Sequence, residues 1–329
     1  MQQSVRVLVT GASGFVGRSL IRILTEHGYV VRATSRHSIP VSEVRNNSKI
    51  DWVKYDLCDE YIDYTKLLEG VEFVIHLAGL AHVTGQHKGT LKKFRMVNVA
   101  GTRKLATEAA GRGIRRFIFI STVKVHGETN TLVDGGHMKR FVESDTPEPK
   151  ASYAISKLEA EQVVKDVCNA GQMKYVILRP PLIYGPYVKA YLLRLIELIA
   201  KGIPLPFASI NNQRSLLYVD NLGHAIVAAI ERPAAVNNTY LVSDVDISLP
   251  QLIREISRHF DQTAKLFSLP VPLLRFAGRY TGQQAVVDRL TESLVLDSHK
   301  IRRELKWSPA VSFEDGLKTM VDWYKSGMI

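Results

Sequence analysis

Seven residues near the start of the chain, Gly11-Ala12-Ser13-Gly14-Phe15-Val16-Gly17, constrain its fold more than any other feature. They follow the apolar run Val5-Arg6-Val7-Leu8-Val9-Thr10 and open a helical stretch over 15–27 that Gly28 terminates. In such a strand–turn–helix the first glycine permits a tight turn and the second lets backbone approach a pyrophosphate. The third lets helix and strand pack closely. The N-terminus of the helix then offers its N–H groups to phosphate. Gly11, Ser13, Gly14, Phe15, Val16 and Gly17 are therefore expected to hold a dinucleotide.

Strand and helix alternate after this turn. Residues 29–35, 52–55, 73–77, 117–121 and 175–178 read as strands, and 98–110 and 153–169 as helices. That rhythm predicts an α/β fold with a Rossmann-type doubly wound parallel sheet. Beyond Arg179 the pattern changes: Pro180, Pro181, Pro186, Pro204 and Pro206 punctuate a stretch around one helix over 190–201. Residues 216–219 and 239–242 then read as returning strands, with 223–231 helical between them, and helices and loops follow Leu249. Residues 1–180 and 214–244 are assigned to the cofactor domain, and 181–213 and 245–329 to a smaller mixed C-terminal substrate lobe.

The formal charge of +11 is spread over short clusters such as Lys92-Lys93, Arg115-Arg116 and Arg302-Arg303, without a nucleic-acid-binding motif. Most of these charges read as solvated surface, with a few left for an anionic cofactor and substrate. Cys58 and Cys168 are not spaced as a metal pair or a disulfide framework and fit a cytoplasmic protein. No signal peptide is read, and no apolar run reaches the roughly 18 residues of a membrane helix. No nucleic-acid, membrane or metal partner is expected.

The sharpest chemical signal is Tyr153-Ala154-Ile155-Ser156-Lys157. Residues four apart share a helix face, and a cation beside the phenol is expected to lower its pKa towards working pH. Tyr153 then serves as general acid or base towards a hydroxyl or ketone. Ser121 and Thr122 end the preceding strand, where a hydroxyl can polarise the reacting oxygen. At the end of the second strand stand Ser35 and Arg36, where an enzyme preferring NAD usually has an acid. Arg36 suits a ribose 2′-phosphate, which favours NADPH within an NAD(P) reading. Asp56 is placed to accept from an adenine amino group. Leu77, Ala78 and Gly79 let backbone approach the cofactor, and His76 reads as a packed strand histidine.

In order along the chain, the glycine turn, His76-Leu77-Ala78-Gly79, Asn98-Val99-Ala100-Gly101-Thr102, Ser121-Thr122, Tyr153 with Lys157, Arg179-Pro180 and Tyr184-Gly185-Pro186 resemble the extended short-chain dehydrogenase/reductase family. The tail Glu304-Leu305-Lys306-Trp307-Ser308-Pro309 is similar to the family's C-terminal signature. The resemblance implies Thr122, Tyr153 and Lys157 as the catalytic set. Asn98 falls near the nicotinamide, Leu57 and Pro180 fall beside the cofactor, and Arg214 and Arg289 fall on a nucleotide diphosphate. His82 and Lys189 join the substrate-binding set. The implied enzyme is a homodimer through the helices over 98–110 and 153–169, acting on a UDP-sugar. His126 stands where the family often has tyrosine. That residue, the segment Tyr187 to Ala190 and the missing ribose acid lean towards a 4-keto-reductase of a UDP-4-keto-6-deoxy-N-acetylhexosamine in bacterial surface-polysaccharide biosynthesis. A 4-epimerase is the alternative, and an inactive NAD(P)-binding sensor a remoter one.

Overall fold

A computed structural model of the chain describes residues 5–36, 48–59, 61–81, 90–131 and 138–327. Its first strand, β1 (Arg6–Thr10), carries Val7, Leu8 and Val9 without exposed surface. Successive strand residues face opposite ways, so a strand apolar on both faces must sit inside a sheet covered twice. The sheet has seven strands: β1, β2 (Val30–Ser35), β3 (Ile50–Lys54), β4 (Phe73–His76), β5 (Arg116–Ile120), β6 (Lys174–Arg179) and β9 (Asn238–Leu241). They are ordered β3-β2-β1-β4-β5-β6-β9, and every pairing is parallel. The order reverses between β1 and β4, so the carboxyl ends of those strands open a crevice at the glycine turn.

Helices Phe15–Glu26 and Val219–Glu231 cover one face, through Leu20, Ile23, Leu222 and Ile226 against Val7 and Val9. They approach closely because Gly223 has no side chain; a Cβ there would lie 2.4 Å from Ile23 Cδ1. Helices Gly101–Gly111 and Ser152–Asn169 cover the other face, through Leu105, Ala106, Ala160 and Val164 against Leu8, Val74 and Phe119.

A second sheet of three strands, β7 (Leu182–Tyr184), β8 (Arg214–Tyr218) and β10 (Val245–Ile247), is mixed: β7 and β8 run parallel, β8 and β10 antiparallel. Helices Ala190–Ala200, Leu249–His259 and Phe313–Lys325 pack with it through Leu192, Ile196, Ile253 and Met320.

Three local expectations are corrected. The strand read at 216–219 does not return to the large sheet; it is β8, at the centre of the small one. Helix His299–Leu305 and Trp307, assigned by sequence to the lobe, place Ile301, Leu305 and Trp307 in the first core with Tyr240. Short apolar runs carry no label of the sheet they join, and only long-range pairing decides it. The helix read over 98–110 begins with a π-helical turn, Arg95–Ala100, before regular geometry starts at Gly101. Such turns are rare, and propensity does not announce them.

Candidate active site

Gly11 adopts φ +71°, and a Cβ on it would meet the Ala78 nitrogen at 2.9 Å. A Cβ on Gly17 would sit 2.4 Å from the Gly11 carbonyl oxygen. The backbone of the turn is therefore bare and pressed against Leu77 and Ala78 at the end of β4. Gly14 caps helix Phe15–Glu26 with no side chain bonding its first N–H groups. Those donors have no intrahelical partner and suit a phosphate. The residues present fit a dinucleotide on these grounds. Ser35 is buried at the end of β2, and Arg36 beyond it is exposed. Asp56 keeps one oxygen occupied by the Cys58 N–H at 3.0 Å. Buried Leu57 packs under Gly101, leaving 3.0 Å for a Cβ there.

His76 is buried, as expected of a packed residue. Its Nδ1 lies 2.7 Å from Thr10 Oγ1, and its Nε2 lies 3.0 Å from Thr102 Oγ1. Burial holds its pKa down at about 3. The Thr102 hydroxyl donates to the Asn98 carbonyl, so it accepts from Nε2–H, and Nδ1 accepts from Thr10. Asn98 ties three segments together. Its Oδ1 accepts from Leu80 N–H at 2.7 Å, and its Nδ2 donates to Leu80 O and to Ser156 Oγ, each at 3.0 Å. The π-helical turn thus fixes the wall beyond Gly79 to the helix that carries Tyr153.

On that helix Ser156 donates to the Tyr153 carbonyl at 2.8 Å. Tyr153 packs on Phe94 with ring centroids 6.0 Å apart. Lys157 is buried, its Nζ 3.9 Å from the centre of the Phe119 ring. Thr122 follows β5 and uses its oxygen to accept from Lys124 N–H at 3.3 Å, which leaves its own O–H free to donate. Ser121 Oγ beside it is buried with no partner among the described residues. Pro180 continues β6 and accepts from Val123 N–H, fixing the turn that presents Thr122.

The expected lowering of the Tyr153 pKa is not found. Burial pushes the phenol up to about 12, and burial pushes the Lys157 amine down to about 7 against the opposing pull of Glu161. Desolvation decides both shifts, because burial disfavours the phenolate and the ammonium alike.

Sequence reasoning singled out Arg179 and His126 but missed Glu161, which joins them behind this helix. Glu161 and Arg179 form a buried bidentate pair at 2.9 and 2.6 Å. Arg179 also donates to His126 Nε2 at 2.8 Å, and the His126 ring stacks on Phe141. Burial, then the Arg179 charge, hold His126 down at about 4. Position 161 lies four residues beyond Lys157, a spacing that would have flagged it.

Arg214 opens β8 and donates to the Arg289 carbonyl at 2.8 Å. The two arginines line one cavity with Tyr191, Asn212 and Ser248. Tyr191 was missed, since an isolated aromatic at the start of a helix carries no signal. Lys189 caps helix Ala190–Ala200 and is exposed; it does not line this cavity. His82 lies outside the described residues. Among those residues no cluster of three or more His, Cys, Asp or Glu could hold a metal, and no helix is long and apolar enough to cross a membrane.

Residues 7–243 match the family model described as NAD dependent epimerase/dehydratase family. UDP-glucose 4-epimerase of Vibrio cholerae is 36% identical over 318 residues, covering 95% of this chain and 93% of that one. dTDP-D-glucose 4,6-dehydratase of Mus musculus is 27% identical, covering 97% and 88%. Among solved structures, UDP-glucuronic acid 4-epimerase from Bacillus cereus with NAD superposes with a TM-score of 0.79 at 22% identity, covering 99% and 100%. UDP-glucose 4-epimerase from Thermotoga maritima with UDP-glucose gives 0.78 at 23%, covering 99% and 100%. At these identities the two structures speak for the fold.

Proposed function

The chain belongs to the NAD dependent epimerase/dehydratase family, and from that premise we propose that it is an oxidoreductase working at C4 of a UDP-linked hexose. The reading is supported by Tyr153 and Lys157 standing four residues apart on one helix, with Lys157 Nζ 3.9 Å from the centre of the Phe119 ring of β5 and Thr122 just past the end of that strand. The turn, Ser35, Arg36, Asp56, Ala78 and Gly79 would hold NAD(P). The cofactor, when bound, supplies or takes up the hydride. A phenol that keeps its proton up to about 12 is a proton donor at neutral pH. Tyr153 therefore gives its proton to O4 as negative charge develops there, and the free Thr122 O–H steadies the same oxygen. Arg214 and Arg289 bind the diphosphate of the substrate through guanidinium forks.

The finer proposal is a 4-keto-reductase of a UDP-4-keto-6-deoxy-N-acetylhexosamine, serving bacterial surface-polysaccharide synthesis and using NADPH. Its support is exposed Arg36 at the end of β2. A charge-assisted contact to a 2′-phosphate is worth about 1.5–3 kcal/mol, or roughly ten- to a hundredfold preference. The second reading, a 4-epimerase retaining NAD, is supported by the Vibrio cholerae relative. An assay of purified protein with each cofactor and a UDP-4-keto sugar separates them. The reductase consumes NADPH stoichiometrically, and Arg36→Asp moves the preference to NADH. Tightly bound NAD with interconversion of a UDP-sugar pair and no net oxidation would establish the epimerase instead.

The proposal extends to a cytoplasmic homodimer. An open cleft lined by Arg95, Met96, Val99, Arg103 and Glu159, on the faces of helix Ser152–Asn169 and the turns before Gly111, supports that assembly. The division into domains near residues 180 and 244 is kept with it, amended by the placement of β8 and of Trp307.

A further inference from the structure

Helix Val271–Tyr280 buries only Leu274 and Gly278 of its ten residues. Its other large apolar side chains point outward: Leu273 is 53% exposed, Phe276 68% and Tyr280 88%. At about 100° per residue these three share an arc of roughly 60°, with Arg275 and Arg279 together on one flank. Phe267 before the helix and Val286 on the next helix, Gln284–Thr291, are exposed too. The two helices are held to one another elsewhere: a Cβ on Gly278 would lie 2.7 Å from Val287 Cγ2. The outward face thus plays no part in holding the hairpin.

Charge singles out the same stretch. From Gln262 to Val287 the sequence has Lys265, Arg275 and Arg279 and no acidic residue. Arg275 reaches Asp288 at 3.8 Å and Arg279 donates to Gln284, so both guanidinium groups stay at the rim of the apolar arc.

We infer that this face docks on an anionic phospholipid surface, with the helix lying in the plane of the interface. Aromatic and leucine side chains enter the headgroup boundary while flanking cations reach the phosphates. A groove on another protein would account for the apolar arc alone. Residues 262–287 are positive overall, with Asp288 at their edge offsetting part of Arg275, and that suits a surface whose charge is all of one sign. The expectation of no membrane partner rested on the lack of a spanning segment, and an in-plane helix needs none. Arg289 and Leu290 of the adjoining helix line the Arg214 cavity, so docking sets that cavity beside the bilayer.

The test is co-sedimentation of the full chain with vesicles of phosphatidylcholine alone and of phosphatidylcholine with phosphatidylglycerol. Binding is expected to the anionic vesicles, weakened by salt. L273S/F276S/Y280S should lower it about tenfold or more, and R275Q/R279Q about tenfold. Both variants should keep the wild-type circular dichroism spectrum and cofactor affinity. The inference is overturned if wild type pellets with neither vesicle, or if the triple variant pellets as well as wild type. It is also overturned if the triple variant changes the oligomeric state in vesicle-free solution, which would make a second copy the occupant. Binding to native membranes but not to protein-free vesicles would overturn it in favour of a protein partner.

Discussion

The helix that carries Tyr153 and the arginine cavity are built in opposite ways. On the helix, Tyr153, Ser156, Lys157 and Glu161 come from nine consecutive residues of one element, and a buried network through Asn98 and Arg179 holds them. In the cavity, Tyr191, Arg214 and Arg289 come from a helix, a strand and a second helix, and the arginine fork bonds to backbone carbonyls. Side chains set within about two and a half turns of one helix are rigidly placed and readable, whereas a cavity assembled from three segments depends on the whole lobe closing correctly.

The comparison breaks most visibly at Glu161. Removing one partner of a buried ion pair leaves the other uncompensated, so Glu161→Ala should cost about 3–5 kcal/mol of stability. Chemical denaturation measures this, and a loss under about 1 kcal/mol would mean that water reaches Arg179. Next comes Tyr153→Phe, which should reduce turnover by about a hundredfold or more with cofactor affinity unchanged. Turnover near wild type would remove Tyr153 from the mechanism. Arg214→Ala should weaken nucleotide-sugar binding by about tenfold or more while NAD(P) binding stays level, because a fork to phosphate is lost but no cofactor contact is. Calorimetry with each ligand checks it, and equal losses would make Arg214 a purely structural member of the lobe.

A further effect is one of pH. The Lys157 amine sits at about 7 when folded, against 10.5 for a free lysine. Between those values the unfolded chain holds a proton that the folded chain has lost, so stability of the unliganded protein rises with pH across that window and falls again towards 7. Tyr153, raised from 10.0 to about 12, opposes this only above pH 10. Thermal midpoints from pH 7 to 10 should climb in wild type and climb less in Lys157→Met; parallel curves would show that Lys157 is solvated.

By itself the sequence determined the glycine turn and the placing of Tyr153 and Lys157 on one helix, because each is governed by spacing within one element, and the parallel sheet around β1, because strand and helix alternate along the chain. Tertiary structure alone decided that β8 joins the small sheet, that Trp307 packs under the large one and that Tyr191 meets Arg214 and Arg289. It also reversed the expected direction of the Tyr153 pKa. A helical spacing of four brings two side chains to one face, but the cost of desolvating their charges is set by Phe94, Phe119 and the rest of the surroundings, which come from distant parts of the chain.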